Sequence, residues 1–310
     1  MTVSRFTPSL MTRGTLEEVF VARHDILDTL TARIAEAASS SSRHHCLVVG
    51  PRGAGKTHLI ALAYHRTVDL MSAGRPLQVA WLPEDPWTIL TYRHLLASIV
   101  RHLEPRVPPP VDMGAGADAL EAFLIRQARD HGPIVVLVEN FDQVLDQLED
   151  VEQQRLRRLL QTERSLLVIA STTRLDRNLS DQARPFYGFF TPIRLKPFTV
   201  EEAQSMLQAL ARHEGNEELA AYVGQERTKR RLRTIAHLAG GQPRIWSALS
   251  TALTIEGLDT LVDLLLTRFD DLTPYYQEQL GRLSGQMRLV VAELAHVDHC
   301  LLYTSDAADE

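Results

Sequence analysis

Residues 46–71 constrain the fold of this chain more than any other stretch. Cys46-Leu47-Val48-Val49 is an apolar run of strand length, and Gly50-Pro51-Arg52-Gly53-Ala54-Gly55-Lys56-Thr57 is a turn with three glycines. From Thr57 to Met71 the apolar residues recur at helical spacing. A strand that feeds a glycine-rich turn into a helix aims successive backbone N–H groups at one point, at the helix end where peptide dipoles also favour negative charge. Polyphosphate has the charge density that such a cradle satisfies. On this reading Gly50 to Thr57 and the adjoining His58 form the binding set for ATP. Lys56 reaches the β- and γ-phosphates as a point charge, and the Thr57 hydroxyl ligates Mg²⁺. A chance match to the octapeptide would come without the strand before it and the helix after it.

Downstream, apolar runs at Leu77 to Leu82, Ile134 to Val138 and Leu166 to Ala170, with a shorter one at Pro192 to Leu195, predict further strands. Helical spacing fills 24–38 and 87–103, while the serine run Ser39 to Ser42 and the Pro- and Gly-rich stretch 105–116 read as loops. Strands that are apolar throughout and alternate with amphipathic helices predict an α/β fold, a P-loop NTPase parallel sheet with helices on both faces. From Thr199 the strand signals stop. Thr199-Val200-Glu201-Glu202 carries a helix cap and early acids, and helical segments follow to about Arg268 with glycines between them. The expected division is an N-terminal segment and helix (1–44), the α/β core (45–197), a small all-helical lid (198–270), and a linker helix with the opening of a third module (271–299). No internal repeat is visible.

The length of 310 residues and 45% hydrophobic content suffice for one large domain plus one or two small ones. A net charge of -6 argues against a broad electrostatic coat for nucleic acid and leaves a local basic patch open. No run approaches the ~20 apolar residues of a membrane helix, and Met1 to Arg5 lacks the apolar core of a secretory signal, so a cytoplasmic address and no membrane partner are expected. Cys46 and Cys300, the only cysteines, offer neither a disulfide framework nor metal-ligand spacing. The last eleven residues, Cys300 to Glu310, resemble translated sequencing adapter, which sets the native sequence to end near His299. An ordinary acidic C-terminus is the other reading.

Three further places bear on chemistry. Glu139 ends the third strand, at the carboxyl edge where ligands bind in open α/β sheets, and is expected to hold Mg²⁺ and its waters, given that its strand lies beside the P-loop strand. Asn140 follows where a glutamate would activate water in a hydrolase. An amide orients water but does not take its proton, so slow turnover is expected unless Glu139 or Asp142 serves instead. Ser171, Thr172 and Thr173 end the fourth strand; Thr172 is the favoured hydroxyl for the γ-phosphate or the lytic water, against the plain reading of a polar strand end. In Gly240-Gly241-Gln242-Pro243-Arg244 the arginine begins a helix of the lid, and its guanidinium senses the γ-phosphate if the lid closes over the nucleotide. A solvated arginine is the alternative there, and it is the preferred reading for Arg184. The cluster Arg227, Lys229, Arg230, Arg231 and Arg233, like Arg155, Arg157 and Arg158, reads first as a solvated helix face. Trp81, Trp87 and Trp246 are assigned to the core or its margin.

With the P-loop, the strand ending Val138-Glu139-Asn140-Phe141-Asp142, the polar strand end at Ser171 and the Gly-Gly-Gln-Pro-Arg element in this order, the chain resembles AAA+ ATPases over roughly residues 14–299. It is similar more narrowly to the group bridging origin-recognition-type ATPases and the signal-transduction ATPases with numerous domains (STAND). Phe20-Val21-Ala22-Arg23 resembles that group's phenylalanine-valine-glycine-arginine motif, with Ala22 where glycine is usual. The resemblance implies that Val21 and Arg23 line the base side of the nucleotide. It also implies an ATP hydrolase, ATP-dependent self-association as an open alternative to a monomer, and a winged-helix domain after the lid that engages DNA. Leu283 to His299 looks like the first helix of that domain, one more lid helix being the alternative. No base-reading residue can be named from this sequence.

Overall fold

The computed structural model describes residues 8–82, 89–105, 114–174, 177–239, 241–251, 253–255, 277, 280–281 and 283–293. Trp87, Gly240, the stretch 256–276 with its Asp270 to Pro274 linker, and the adapter-like tail 300–310 lie outside the described residues. The chain forms two compact units, Met1–Ser250 and Thr251–Glu310. In the second, a helix runs through 285–293 and leaves Met287, Leu289, Val290 and Val291 exposed.

The first unit opens with a 3-10 turn (Pro8–Leu10), α1 (Arg13–Glu18) and α2 (His24–Ser39). The α/β part runs β1 (Cys46–Val49), α3 (Lys56–Ser72), β2 (Gln78–Leu82), α4 (Tyr92–Arg101), β3 (Leu103–Glu104), α5 (Ala117–His131), β4 (Ile134–Val138), α6 (Phe141–Gln147), α7 (Asp150–Thr162), β5 (Leu166–Thr172), α8 (Arg177–Ser180) and β6 (Thr191–Arg194). Four helices close the unit: α9 (Val200–His213), α10 (Glu217–Val223), α11 (Glu226–Ala239) and α12 (Pro243–Ser250).

The strands form one sheet in the order β3-β2-β4-β5-β1-β6, parallel throughout except for the β2–β3 edge. This is the α/β fold expected from the sequence, with one correction. The strand ending in Glu139 does not lie beside the P-loop strand. β5 stands between them, pairing Ala170 with Val138 of β4 and Thr172 with Val49 of β1. Glu139 comes within reach of the P-loop helix because α3 crosses the sheet face and touches β2, β4 and β5. The edge strand β3 falls where the sequence predicts the last turn of a helix. Two residues give no period, and only their antiparallel pairing to Val79 and Ala80 identifies them as strand.

Both faces of the sheet are covered, and the alternation of side chains sorts them. In β4, Ile134, Val136 and Val138 point into a core shared with α4 to α7, while Val135 and Leu137 join the core under α2 and α3. β5 repeats this with Leu166, Val168 and Ala170 against Leu167 and Ile169. All five residues of β4 are buried, as a parallel strand between two helical layers requires. Truncating one of them, as in Leu137→Ala, costs about 2–5 kcal/mol.

Candidate nucleotide site

The turn after β1 takes the shape that its glycines allow. Gly53 (φ +82°) and Gly55 (φ +86°) lie in the left-handed region, and a Cβ on Gly53 would stand 2.8 Å from the Cβ of Arg244. The carbonyls of the turn are held by the protein. Lys56 Nζ donates to Gly50 O at 2.8 Å and Pro51 O at 3.1 Å; Arg244 N–H donates to Gly53 O at 3.2 Å; the Arg23 guanidinium donates to Ala54 O. A trans peptide points its N–H opposite its C=O, so Ala54 O fixed on Arg23 turns the Gly55 N–H away from that contact. Lys56 is buried, its ammonium satisfied by carbonyls that a polyphosphate would replace.

Thr57 begins the chemistry of the helix. Its hydroxyl donates to Glu139 Oε2 at 2.5 Å, and the indole N–H of Trp81 donates to Glu139 Oε1 at 3.1 Å. Glu139 is 3% exposed. Mg²⁺ prefers hard oxygens and is commonly held by one or two protein groups with phosphate oxygens and waters completing its shell. A hydroxyl and a carboxylate in contact beside the P-loop fit that donor set. Among the described residues no cluster of three or more His, Cys, Asp or Glu offers a closed metal cage.

Asn140 caps α6 at φ +50°, a left-handed position that asparagine tolerates, and its N–H points to Ser171 Oγ at 3.4 Å. Thr172 is fully buried and donates to Arg174 O at 2.7 Å, while Thr173 donates to Asp142 Oδ2 at 3.0 Å. Asp142 Oδ1 is buried without a hydrogen-bond partner among the described residues. The structure therefore gathers Lys56, Thr57 and Glu139, sets Asn140 beside Ser171, and does not bring the Thr172 hydroxyl to that turn. Parity explains this. Residues 135, 137 and 139 share the α3 face with 167, 169 and 171, whereas Thr172 falls on the opposite face.

The lid approaches from the other side. Besides Ala54 O, Arg23 donates to Lys196 O at 2.9 Å, and its guanidinium lies 4.7 Å from the centre of the Phe198 ring. Burial lowers the Arg23 pKa from its usual value, and the guanidinium stays charged. Phe198 N–H donates to Gly241 O at 2.7 Å, and Arg244 three residues on returns to Gly53. Ala22 and Arg23 both stand at φ +60°, the physical reason for glycine at the position that Ala22 fills. Val21, half-buried, belongs to the same segment. His58 turns to the N-terminal segment too: its Nε2 is 2.9 Å from Leu16 O, its ring is 5.3 Å from that of Phe20, and burial lowers its pKa.

Of the basic residues, Arg155 pairs with Asp118 and Glu121, Arg184 with Asp150, and Lys229 with Glu201. Arg227 lies over the Tyr222 ring, while Arg230 and Arg233 are exposed. Arg157, Arg158 and Arg184 line a cavity of about 350 Å³. Trp246 is fully buried, whereas Trp81 belongs to the site, a role that the sequence does not disclose.

A parallel sheet whose first βα turn carries Lys56 and Thr57 on a glycine cradle, with the Glu139 carboxylate held against that threonine, defines the class as a P-loop NTPase fold. Residues 19–169 match the family model described as an AAA ATPase domain, and over that stretch the chain is such a domain. Solved structures give the same architecture. Drosophila ORC bound to DNA aligns with a TM-score of 0.59 at 16% identity, covering 83% of this chain and 68% of that one. The Aeropyrum pernix ORC1 protein in complex with DNA gives 0.57 at 15%, covering 95% and 76%. A Walker-type ATPase of Pyrococcus abyssi gives 0.57 at 14%, covering 85% and 78%. Likeness at such identities shows the fold. No match is found among curated proteins. No helix among the described residues is long and apolar enough to cross a membrane.

Proposed function

We propose that this chain binds ATP with Mg²⁺ in the cytoplasm and uses it as a conformational switch. ATP holds the α/β core against the helical lid, and a winged-helix module after the lid, opening within 271–299, reads the altered geometry on DNA or a protein partner. The observation that carries this reading is the double grip on the P-loop: Gly53 O held by Arg244 of α12 and Ala54 O held by Arg23, which stacks on Phe198 at the start of the lid. Polyphosphate in the turn draws Lys56 off the Gly50 and Pro51 carbonyls, so ligand and lid act on one short run of peptide units. Thr57 and Glu139 hold the magnesium ion, which neutralises phosphate charge when bound. Arg244 senses the γ-phosphate, and Val21 and Arg23 face the base. Two of the similar solved structures are described as DNA complexes, which supports a DNA-associated role.

Calorimetry of the whole chain with ATP and Mg²⁺ tests the binding. Lys56→Ala removes a charged donor worth about 1.5–3 kcal/mol and is expected to weaken binding by about 100-fold and to end steady phosphate release. No heat from the unaltered, folded chain overturns the proposal.

Asn140 favours a second reading, a nucleotide-bound regulatory scaffold that hydrolyses little, because an amide does not accept the proton of attacking water. Tight ATP binding without phosphate release would move the conclusion there. Asn140→Glu is then expected to raise turnover, and an unchanged rate counts against it. An assembly-dependent loader, with Arg184 reaching a neighbour's nucleotide, is separated from both by sedimentation with and without ATP.

A further inference from the structure

β2 and β4 run parallel with Trp81 opposite Leu137. Side chains 79 and 81 of β2 share the α3 face with residues 135 and 137 of β4, and one pleat further along that face stands Glu139. A side chain long enough to lean along its strand reaches forward to the neighbour's carboxylate, and the indole does so. Its N–H meets Glu139 Oε1 at 3.1 Å while Thr57 takes Oε2 at 2.5 Å. The ring is braced from the helix side. Tyr64 of α3 lies 5.4 Å away with its plane tilted by 39°, and the Tyr64 hydroxyl donates to Glu104 Oε2 at 2.7 Å, on the edge strand beyond β2. Trp81 is thus wedged between α3 and the sheet with its one polar atom on the carboxylate.

An indole N–H is a donor only. It does not ligate a cation, and it neither takes nor gives up a proton at working pH. What it supplies is orientation and a preference for the ionised carboxylate, since hydrogen bonds to the charged form favour that form. Groups that hold a ligating side chain in this way are worth about 10–100-fold in metal affinity.

We propose that Trp81 is a positioning residue for the magnesium-holding carboxylate: by fixing Glu139 Oε1 it keeps Oε2 aimed at the Thr57 hydroxyl. This rests on the reading of Thr57 and Glu139 as magnesium oxygens.

The test is calorimetric titration of the whole chain with ATP, in EDTA and across a Mg²⁺ series. Trp81→Phe keeps a ring and removes the N–H. Trp81→His, neutral at pH 8, sets its Nε2 at the place of the indole nitrogen and restores a donor. The Mg²⁺ concentration that half-saturates the gain in ATP affinity is expected to rise about 10-fold in Trp81→Phe. Affinity in EDTA should stay unchanged, and Trp81→His should recover most of the loss. Equal weakening in EDTA and in Mg²⁺ makes Trp81 a mere packing residue and overturns the proposal, as does an unchanged magnesium dependence. If the unaltered chain binds ATP without any gain from Mg²⁺, the reading of Thr57 and Glu139 has failed, and the role of Trp81 falls with it.

Discussion

On its sheet side the P-loop meets side chains fixed to buried strands: Glu139 at the end of β4 and Trp81 on β2. On its lid side it meets one backbone N–H from Arg244 and one guanidinium from Arg23, both placed on carbonyls. Moving Glu139 would mean moving a strand with all five residues buried, whereas each lid-side hydrogen bond is worth about 1 kcal/mol net, somewhat more for the charged one. A rigid jaw that carries the chemistry and a weakly held jaw that opens are what a ligand-driven switch needs. The difference teaches where to look for motion: at Phe198 and Arg244, and not at the Thr57–Glu139 pair.

The contrast breaks most visibly at Gly53. Gly53→Ala combines a left-handed backbone, about 1–2 kcal/mol for a residue with a Cβ, with a clash against Arg244 of similar size. The expected loss is about 3 kcal/mol in urea denaturation, with the lid released to proteolysis at its start. Gly74→Ala is the control, because Gly74 has φ +80° but nothing within 4 Å of the added Cβ. It should cost about 1–2 kcal/mol and leave the lid closed. Equal losses in the two variants would mean that Arg244 does not press on the P-loop.

Acid should act on the sheet jaw from its far end. His45, just before β1, accepts the Val168 N–H on Nδ1 at 3.1 Å and stacks on Phe189, and burial pushes its pKa down to about 4. The unfolded chain, with an ordinary value of 6.5, therefore binds a proton that the folded chain refuses. Stability is full above pH 6.5 and falls as the pH drops toward 4, by about 2 kcal/mol between pH 7 and pH 5. Urea midpoints at the two values measure this, and His45→Gln should flatten the slope by that amount. An unaltered slope would place the acid sensitivity elsewhere.

How much of this was legible in the residues depends on the range of the contact. The cradle from Gly50 to Thr57 is local, so its sequence suffices, and the same holds for the cap at Thr199. The apolar runs announce four of the strands that follow β1. Strand order is not local: nothing in Ile134 to Val138 says that β5 will separate it from β1, and so nothing says that Trp81 will meet Glu139. The hydroxyls at 171–173 lie between these cases. The parity that puts Ser171 on the face of Glu139 is readable once the strand ends are fixed, and it turns attention from Thr172 to Ser171. The lid contact escapes because Arg244 makes it with its backbone, which no residue type advertises.

The smallest effect sharpens the contrast most. Thr199 caps α9: its hydroxyl accepts the Glu202 N–H at 3.2 Å, and Glu202 returns a carboxylate oxygen to the Thr199 N–H at 2.7 Å. Thr199→Ala removes one half of this box, at a cost of about 1 kcal/mol. Thr199 follows Phe198, the residue that joins the lid to Arg23, so the loss falls on the weakly held jaw. Amide exchange in the first turn of α9 should quicken about 5-fold, the equivalent of that energy, while the amides of β4 keep their protection. If β4 loosens by the same factor, lid and sheet open together, and the picture of one rigid and one movable jaw is wrong.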